Sequence, residues 1–200
     1  MTTKRTRMSA EQRRESILAA ATEVFVEFGY LRGKTAVVAA RLGVSEPVVF
    51  QNFGTKSALF AAVVRRAADQ VCGELDALAD LPAAKVLAMF LDPGHLAHVH
   101  DAGNVGSLFA EAASVVDDPE VEAAARDATQ RFATTLTGIL ARGRDAGELG
   151  PHLDPEAGAW WLLSLVASQR FRRATAPDAA GIEARLARAT QQYLGSATGD

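Results

Sequence analysis

Few side chains in this 200-residue chain combine the type and spacing that covalent, acid–base or metal chemistry needs. His95, His98 and His100 stand close together, but only His95 and His98 share a helical face. No carboxylate stands at a matching helical step to complete a metal site. Cys72, the one cysteine, can form neither an intramolecular disulfide nor a structural zinc site, and a lone thiol fits a reducing, cytoplasmic setting. Without a Gly-rich phosphate loop, a nucleophile elbow or an acid/base pair, no enzyme activity and no cofactor are expected. The polar residues that do form a pattern lie between Ser45 and Lys56. Gly43 suits a sharp turn, Val44 an apolar plug, and Ser45 a helix N-cap, with Pro47 tolerated in the first turn. Glu46, Pro47, Val48 and Gln51 then occupy the outward side of a short helix anchored by Val49 and Phe53. Gln51 can pair bidentately with adenine and Val48 can touch a thymine methyl; Glu46 either accepts from a cytosine amino group or faces solvent. Lys56, in the first turn of the next helix, offers an ammonium beside free backbone amides, a setting that attracts phosphate; a solvated surface lysine is the bland alternative.

These residues need elements to hold them, and the apolar spacing is helical almost throughout. Ser9 and Gln12 form a capping box, after which Ile17, Ala21, Val24, Phe25 and Phe28 make one buried stripe that Gly29 ends. A short helix over 35–42 turns inward with Val38, Ala39 and Leu42, and Thr35 at its start is either a plain N-cap or a cap that also touches phosphate. The 46–52 helix follows, and two short helices joined by a tight Gly-containing turn are the minimal helix-turn-helix. Thr55 caps a longer helix over 56–79. Further helices are predicted over 83–91, 95–116 with a break near Gly103-Asn104, 119–146, 155–175 and 179–195, divided by Asp92-Pro93-Gly94, Asp118-Pro119, the stretch from Gly147 to Pro155, and Pro177-Asp178. The fold class is therefore all-α.

Charge divides the chain. Residues 1–66 carry 11 Lys and Arg against 5 Glu, a balance of +6, whereas residues 67–200 carry 10 against 19, a balance of −9. A basic head on an acidic body is the electrostatic footprint of a nucleic-acid-binding module joined to something else. Lys4, Arg5, Arg7, Arg13 and Arg14 make a basic N-terminal segment able to follow a groove or its phosphates, or simply to solubilise. That segment leads into a charged helix rather than an apolar core, so no signal peptide is expected, and the run Ala159 to Ala167 is too short to span a bilayer. This run, which includes Trp160, Trp161 and Leu163, is apolar all round and requires a second covering surface, for which a partner subunit is the simplest source. Ile182, Leu186, Ala189 and Tyr193 follow at steps of four, three and four, a seam suited to antiparallel bundle packing.

Taken in order, Arg13-Arg-Glu-Ser-Ile-Leu-Ala-Ala-Ala, Phe25-Val-Glu-Phe-Gly-Tyr30, Gly43-Val-Ser45 and Phe53-Gly-Thr-Lys56-Ser-Ala-Leu59-Phe resemble the TetR family of repressors over about the first third of the chain. The resemblance implies a three-helix DNA-binding domain at residues 1–66 and a larger helical ligand-binding and dimerisation domain at 67–200. It also implies a homodimer joined through the last two helices, a palindromic double-stranded DNA operator and a small-molecule effector. Lys56 matches the family's phosphate lysine. Phe50 departs from the usual tyrosine and cannot hydrogen-bond a phosphate, so that anchor is either lost or replaced by Asn52, while Lys34 takes the usual capping-threonine position. By the same resemblance the effector pocket lies within about 56–146 and the following helix, with Met89, Phe90, Phe109, Phe132 and Trp161 as its apolar lining and His98, Asn104 or Gln169 as polar accents.

Overall fold

A computed structural model describes residues 8–92, 94–95 and 104–195, and every regular element among them is helical. The head comprises α1 (Ala10–Arg32), α2 (Thr35–Leu42), α3 (Glu46–Phe53) and the first turns of α4 (Lys56–Asp76). The body adds α5 (Ala83–Phe90), α6 (Gly106–Ala112), α7 (Pro119–Asp145), α8 (Pro155–Ala167), α9 (Gln169–Thr175) and α10 (Ala179–Gly195). Several helix starts carry side-chain caps of the kind the sequence calls for, Asp178 ahead of α10 among them. Ser9 and Gln12 close a capping box, and Thr55, Asp118 and Asp154 accept amide bonds at the starts of α4, α7 and α8.

Two apolar cores organise the molecule. The first gathers Ile17, Val24 and Phe25 of α1, Val38 and Ala39 of α2, Val49 and Phe53 of α3, and Leu59, Phe60, Val63 and Val64 of α4. It does not close at the head, because Leu108 and Ala112 of α6 and Val121, Ala124 and Ala128 of α7 belong to it. The second joins Val86, Leu87 and Leu91 to Leu136, Ile139 and Leu140 of α7, Leu162 and Leu165 of α8, and Ala187 and Leu194 of α10. At 27 residues, α7 is about 40 Å long and touches both cores.

The elements differ from the sequence-based boundaries in instructive places. α1 does not end at Gly29: the chain kinks there (φ 74°, ψ 172°) and resumes helical turns to Arg32, with Gly33 capping back to the Gly29 carbonyl. The 155–175 helix is broken at Ser168 (φ −85°, ψ 0°), where Ser168 and Arg172 side chains bond the carbonyls of Ser164 and Leu165 and turn α9 away from α8. Arg172 also forms a two-pronged ion pair with Glu183 at 2.6 and 3.0 Å, which fixes α9 on α10. The inward stripe of α10 is Glu183, Ala187, Thr190 and Leu194, so Ile182, Leu186 and Tyr193 lie to one side of it rather than on it.

Candidate nucleic-acid interface and effector cavity

The turn between α2 and α3 is built on Gly43, whose left-handed backbone (φ 64°) lets Val44 return its amide to the Ala39 carbonyl at 3.1 Å. α3 then buries Val49 and Phe53 and leaves Ser45, Pro47, Phe50 and Gln51 exposed, with Val48 half-buried at the margin. A short helix fastened on one face and bare on the other is the geometry a major-groove reader requires.

Thr35, Glu46, Asn52 and Arg14, all singled out from the sequence, make hydrogen bonds within the head. Thr35 is not a cap: Lys34 holds that position, and Thr35 is buried inside the first turn, donating its hydroxyl to the Glu46 carboxylate at 2.5 Å. That bond ties α2 to α3, occupies the Thr35 hydroxyl and gives Glu46 a partner within the head, which neither of its two expected roles included. Ser45 stands at the N-cap position of α3 in extended geometry but makes no capping bond. Asn52 donates its amide to the Val48 carbonyl of its own helix at 2.7 Å. Arg14, grouped with the basic arm from the sequence, reaches across from α1 to the Asn52 carbonyl at 2.6 Å and lies 4.0 Å from the centre of the Phe53 ring, clamping the end of α3. Arg5 and Arg7 lie outside the described residues.

The head's positive charge is only partly outward. Arg41 pairs with Glu23 and Glu27, Arg65 with Asp127 and Arg66 with Glu15. Lys56 is placed differently. Its ammonium sits 4.9 Å from the centre of the Tyr30 ring and donates to the Leu31 carbonyl at 3.1 Å, and burial pulls its pKa below the usual lysine value. Tyr30 in turn stacks on Phe60 at 4.6 Å and shares a hydrogen bond with Ser57 at 3.0 Å. Its hydroxyl also donates to Asp118 at 3.1 Å, and its backbone amide donates to Glu111 at 2.5 Å. Burial raises the Tyr30 pKa, so its hydroxyl keeps its proton, and the Ser57 hydrogen bond leads the contacts that hold the Asp118 carboxyl below its ordinary range. Sequence reasoning missed Tyr30; the one hint was an aromatic residue immediately after the kink glycine.

Between the two cores lies a cavity of about 1840 Å³. Met89, Phe90, Asn104, Phe109 and Phe132 surround it, the last two in an edge-to-face pair at 4.8 Å. Trp161 and Gln169 do not line it, and His98 lies outside the described residues. Trp160 and Leu163, expected at a subunit interface, stand on the cavity wall. Trp161 points the other way, bonding Thr190 at 3.1 Å and packing on Tyr193 of α10. An all-round apolar helix gives no phase from sequence; here Ala159, Leu162 and Leu165 take the inside and the two tryptophans fall on opposite flanks. The floor of the cavity is polar and includes Gly29, Tyr30, Arg32, Glu111 and Asp118 from the junction of head and body. On the outside of the body, Trp161 (49% exposed) and Tyr193 (51%) leave a paired apolar surface on α8 and α10, and Phe171 (69%) is exposed on α9.

Comparison with known proteins agrees with this architecture. Residues 17–63 match the family model described as bacterial regulatory proteins, tetR family. Over 65 residues the chain is 42% identical to the HTH-type transcriptional activator FasR of Mycolicibacterium smegmatis, a match covering 32% of this chain and only 30% of FasR. Among solved structures, a TetR-family regulator from Cytophaga hutchinsonii is similar in fold with a TM-score of 0.74 at 18% identity, over 94% of this chain and 96% of that one. FadR from Bacillus subtilis, solved in complex with stearoyl-CoA, reaches 0.65 at 17% identity over 90% of this chain and 98% of its own. Residues 17–63 thus carry the helix-turn-helix domain of the tetR family of bacterial regulatory proteins.

Proposed function

We propose that this regulator is a homodimeric repressor that holds a palindromic operator through two α3 helices and leaves it when a small, largely apolar effector enters the cavity. The observation that carries the reading is the bare side of α3, where Ser45, Pro47, Phe50 and Gln51 stand exposed on a helix anchored by Val49 and Phe53. Two such helices on a two-fold dimer would enter successive major grooves about 34–36 Å apart. Lys56, with the free amides at the start of α4, is the phosphate contact in this scheme. The exposed Trp161, Phe171 and Tyr193 support a subunit interface on α8, α9 and α10. The residues at 1–66 act as the reading domain and those at 67–200 as the sensing and pairing domain.

The effector class follows from the lining. Phe90, Phe109, Phe132, Leu136 and Leu163 offer a long apolar surface, and Arg170, at the start of α9, offers a cation at its edge. An amphipathic molecule with a long apolar chain fits, as does the fact that FadR was solved with stearoyl-CoA. Release requires that such a molecule bind the DNA-incompetent arrangement more tightly than the other.

Selection of bound fragments from genomic DNA, followed by titration of the recovered site and a scrambled one across salt concentrations, tests the reading. A recovered palindrome bound about 10³-fold or more tightly than the scrambled site supports it. Equal retention of both overturns it. A promoter fusion carrying that site should be silenced by the protein; stimulation instead would reverse the sign of regulation.

A further inference from the structure

Resting on Lys56 as the phosphate contact, we infer that Tyr30 is a positioning residue that sets this lysine according to the state of the cavity wall. Three parts of this one residue face three different things. Its ring lies under the Lys56 ammonium, and the next carbonyl, that of Leu31, accepts from the same ammonium. Its amide donates to Glu111 of α6, and its hydroxyl donates to Asp118, the cap of α7. Both carboxylates, and Tyr30 itself, line the cavity floor.

The kink at Gly29 makes this possible. The backbone there leaves the helix, and the Glu111 carboxylate lies so close that a Cβ at position 29 would collide with it. Hydrogen bonds to ionised acceptors are about twice as strong as neutral ones, so α6 and α7 hold residues 30–31 firmly. Whatever shifts Glu111 or Asp118 therefore shifts both supports of the ammonium together. An occupant pressing on Phe109, two residues before Glu111 on α6, has a short route to the phosphate contact within one subunit.

The test needs no knowledge of the effector. Operator affinity is measured against salt for the wild type, Tyr30→Phe, Lys56→Ala and the double variant. Tyr30→Phe keeps the ring and the net charge but cuts the tie to Asp118 and Ser57. It should weaken binding about 3- to 10-fold and reduce the slope of log K against log salt by up to about 0.9, the value of one phosphate. The double variant should bind no more weakly than Lys56→Ala alone. If the two losses multiply, or if Tyr30→Phe lowers Tm while leaving the slope unchanged, Tyr30 is only a structural residue and the inference falls. Hydrogen exchange gives the reciprocal measurement. Operator should slow exchange across residues 29–33 in the wild type, but not in Lys56→Ala or Glu111→Gln; equal slowing in all three overturns the coupling. A wild-type protein without sequence preference would instead overturn the regulator reading, a result separable from multiplicative losses in a protein that does prefer its site.

Discussion

Gln51 illustrates how a single side chain is assigned by what its neighbours leave exposed. It stands one residue after Phe50 on the open side of α3, where a carboxamide can meet an adenine edge. Gln51→Ala should cost about 1–3 kcal/mol of operator affinity, read by fluorescence anisotropy, and the loss should vanish on a scrambled site. Arg14 makes a different kind of contribution. Its bond to the Asn52 carbonyl and its contact with the Phe53 ring fix the end of α3, so Arg14→Ala should lower Tm as well as operator affinity. Asp118 sets an acid limit. Ser57 and the cap amide of Val121 hold its pKa below 3.8, so its share of stability is complete at neutral pH and fades as pH falls through that depressed value. Tm of the wild type should accordingly drop more steeply than that of Asp118→Asn as pH is lowered into the acid range. At this scale the sequence conveyed residue type better than residue partner. The exposure of Gln51 was readable, because burying Val49 and Phe53 leaves that side of α3 open. Thr35 was not, because its hydroxyl serves a carboxylate 11 positions away that no local rule identifies.

Among the elements, those fixed by caps and turn glycines were the most legible. Ser9, Thr55, Asp118 and Asp154 announce their helices through short-range hydrogen bonds, and these do not depend on the rest of the fold. Ser9→Ala should lose about 1 kcal/mol by removing the capping box, a drop visible in thermal melts. Gly43→Ala should cost about 1–2 kcal/mol, because the position is left-handed although nothing crowds it. Its consequence for operator affinity should exceed its consequence for Tm, since the angle of α3 depends on that turn. The break at Ser168 and the phase of α8 were not legible. Both are decided by Arg172 reaching Glu183 and by which flank of α8 meets α10, and neither leaves a mark in apolar periodicity.

For the whole molecule, the charge boundary near Arg66 is visible in the sequence, yet packing ignores it: the first core runs from Ile17 to Ala128. Excising residues 1–66 would therefore remove Leu108, Ala112 and Val121 from a core they help to close, and such a fragment should melt well below the intact protein. The exposed Trp161, Phe171 and Tyr193 should behave as an interface. Replacing Phe171 and Tyr193 together by Glu should convert a sedimenting dimer to a monomer and abolish binding to a two-half-site operator while sparing the helical circular dichroism.

The cavity is walled by contributions from α1, α4, α5, α6, α7, α8 and α9, and the exposed side of α3 supplies none of them. On the proposed function, specificity for genes and specificity for molecules are written in separate sets of positions. Val86, Met89, Phe90, Thr129 and Phe132 can be varied to accept a new inducer without rewriting the recognised sequence. Conversely, if α3 reads the operator as proposed, varying Pro47, Phe50 and Gln51 should redirect the same effector to another promoter, as a reprogrammable biosensor requires.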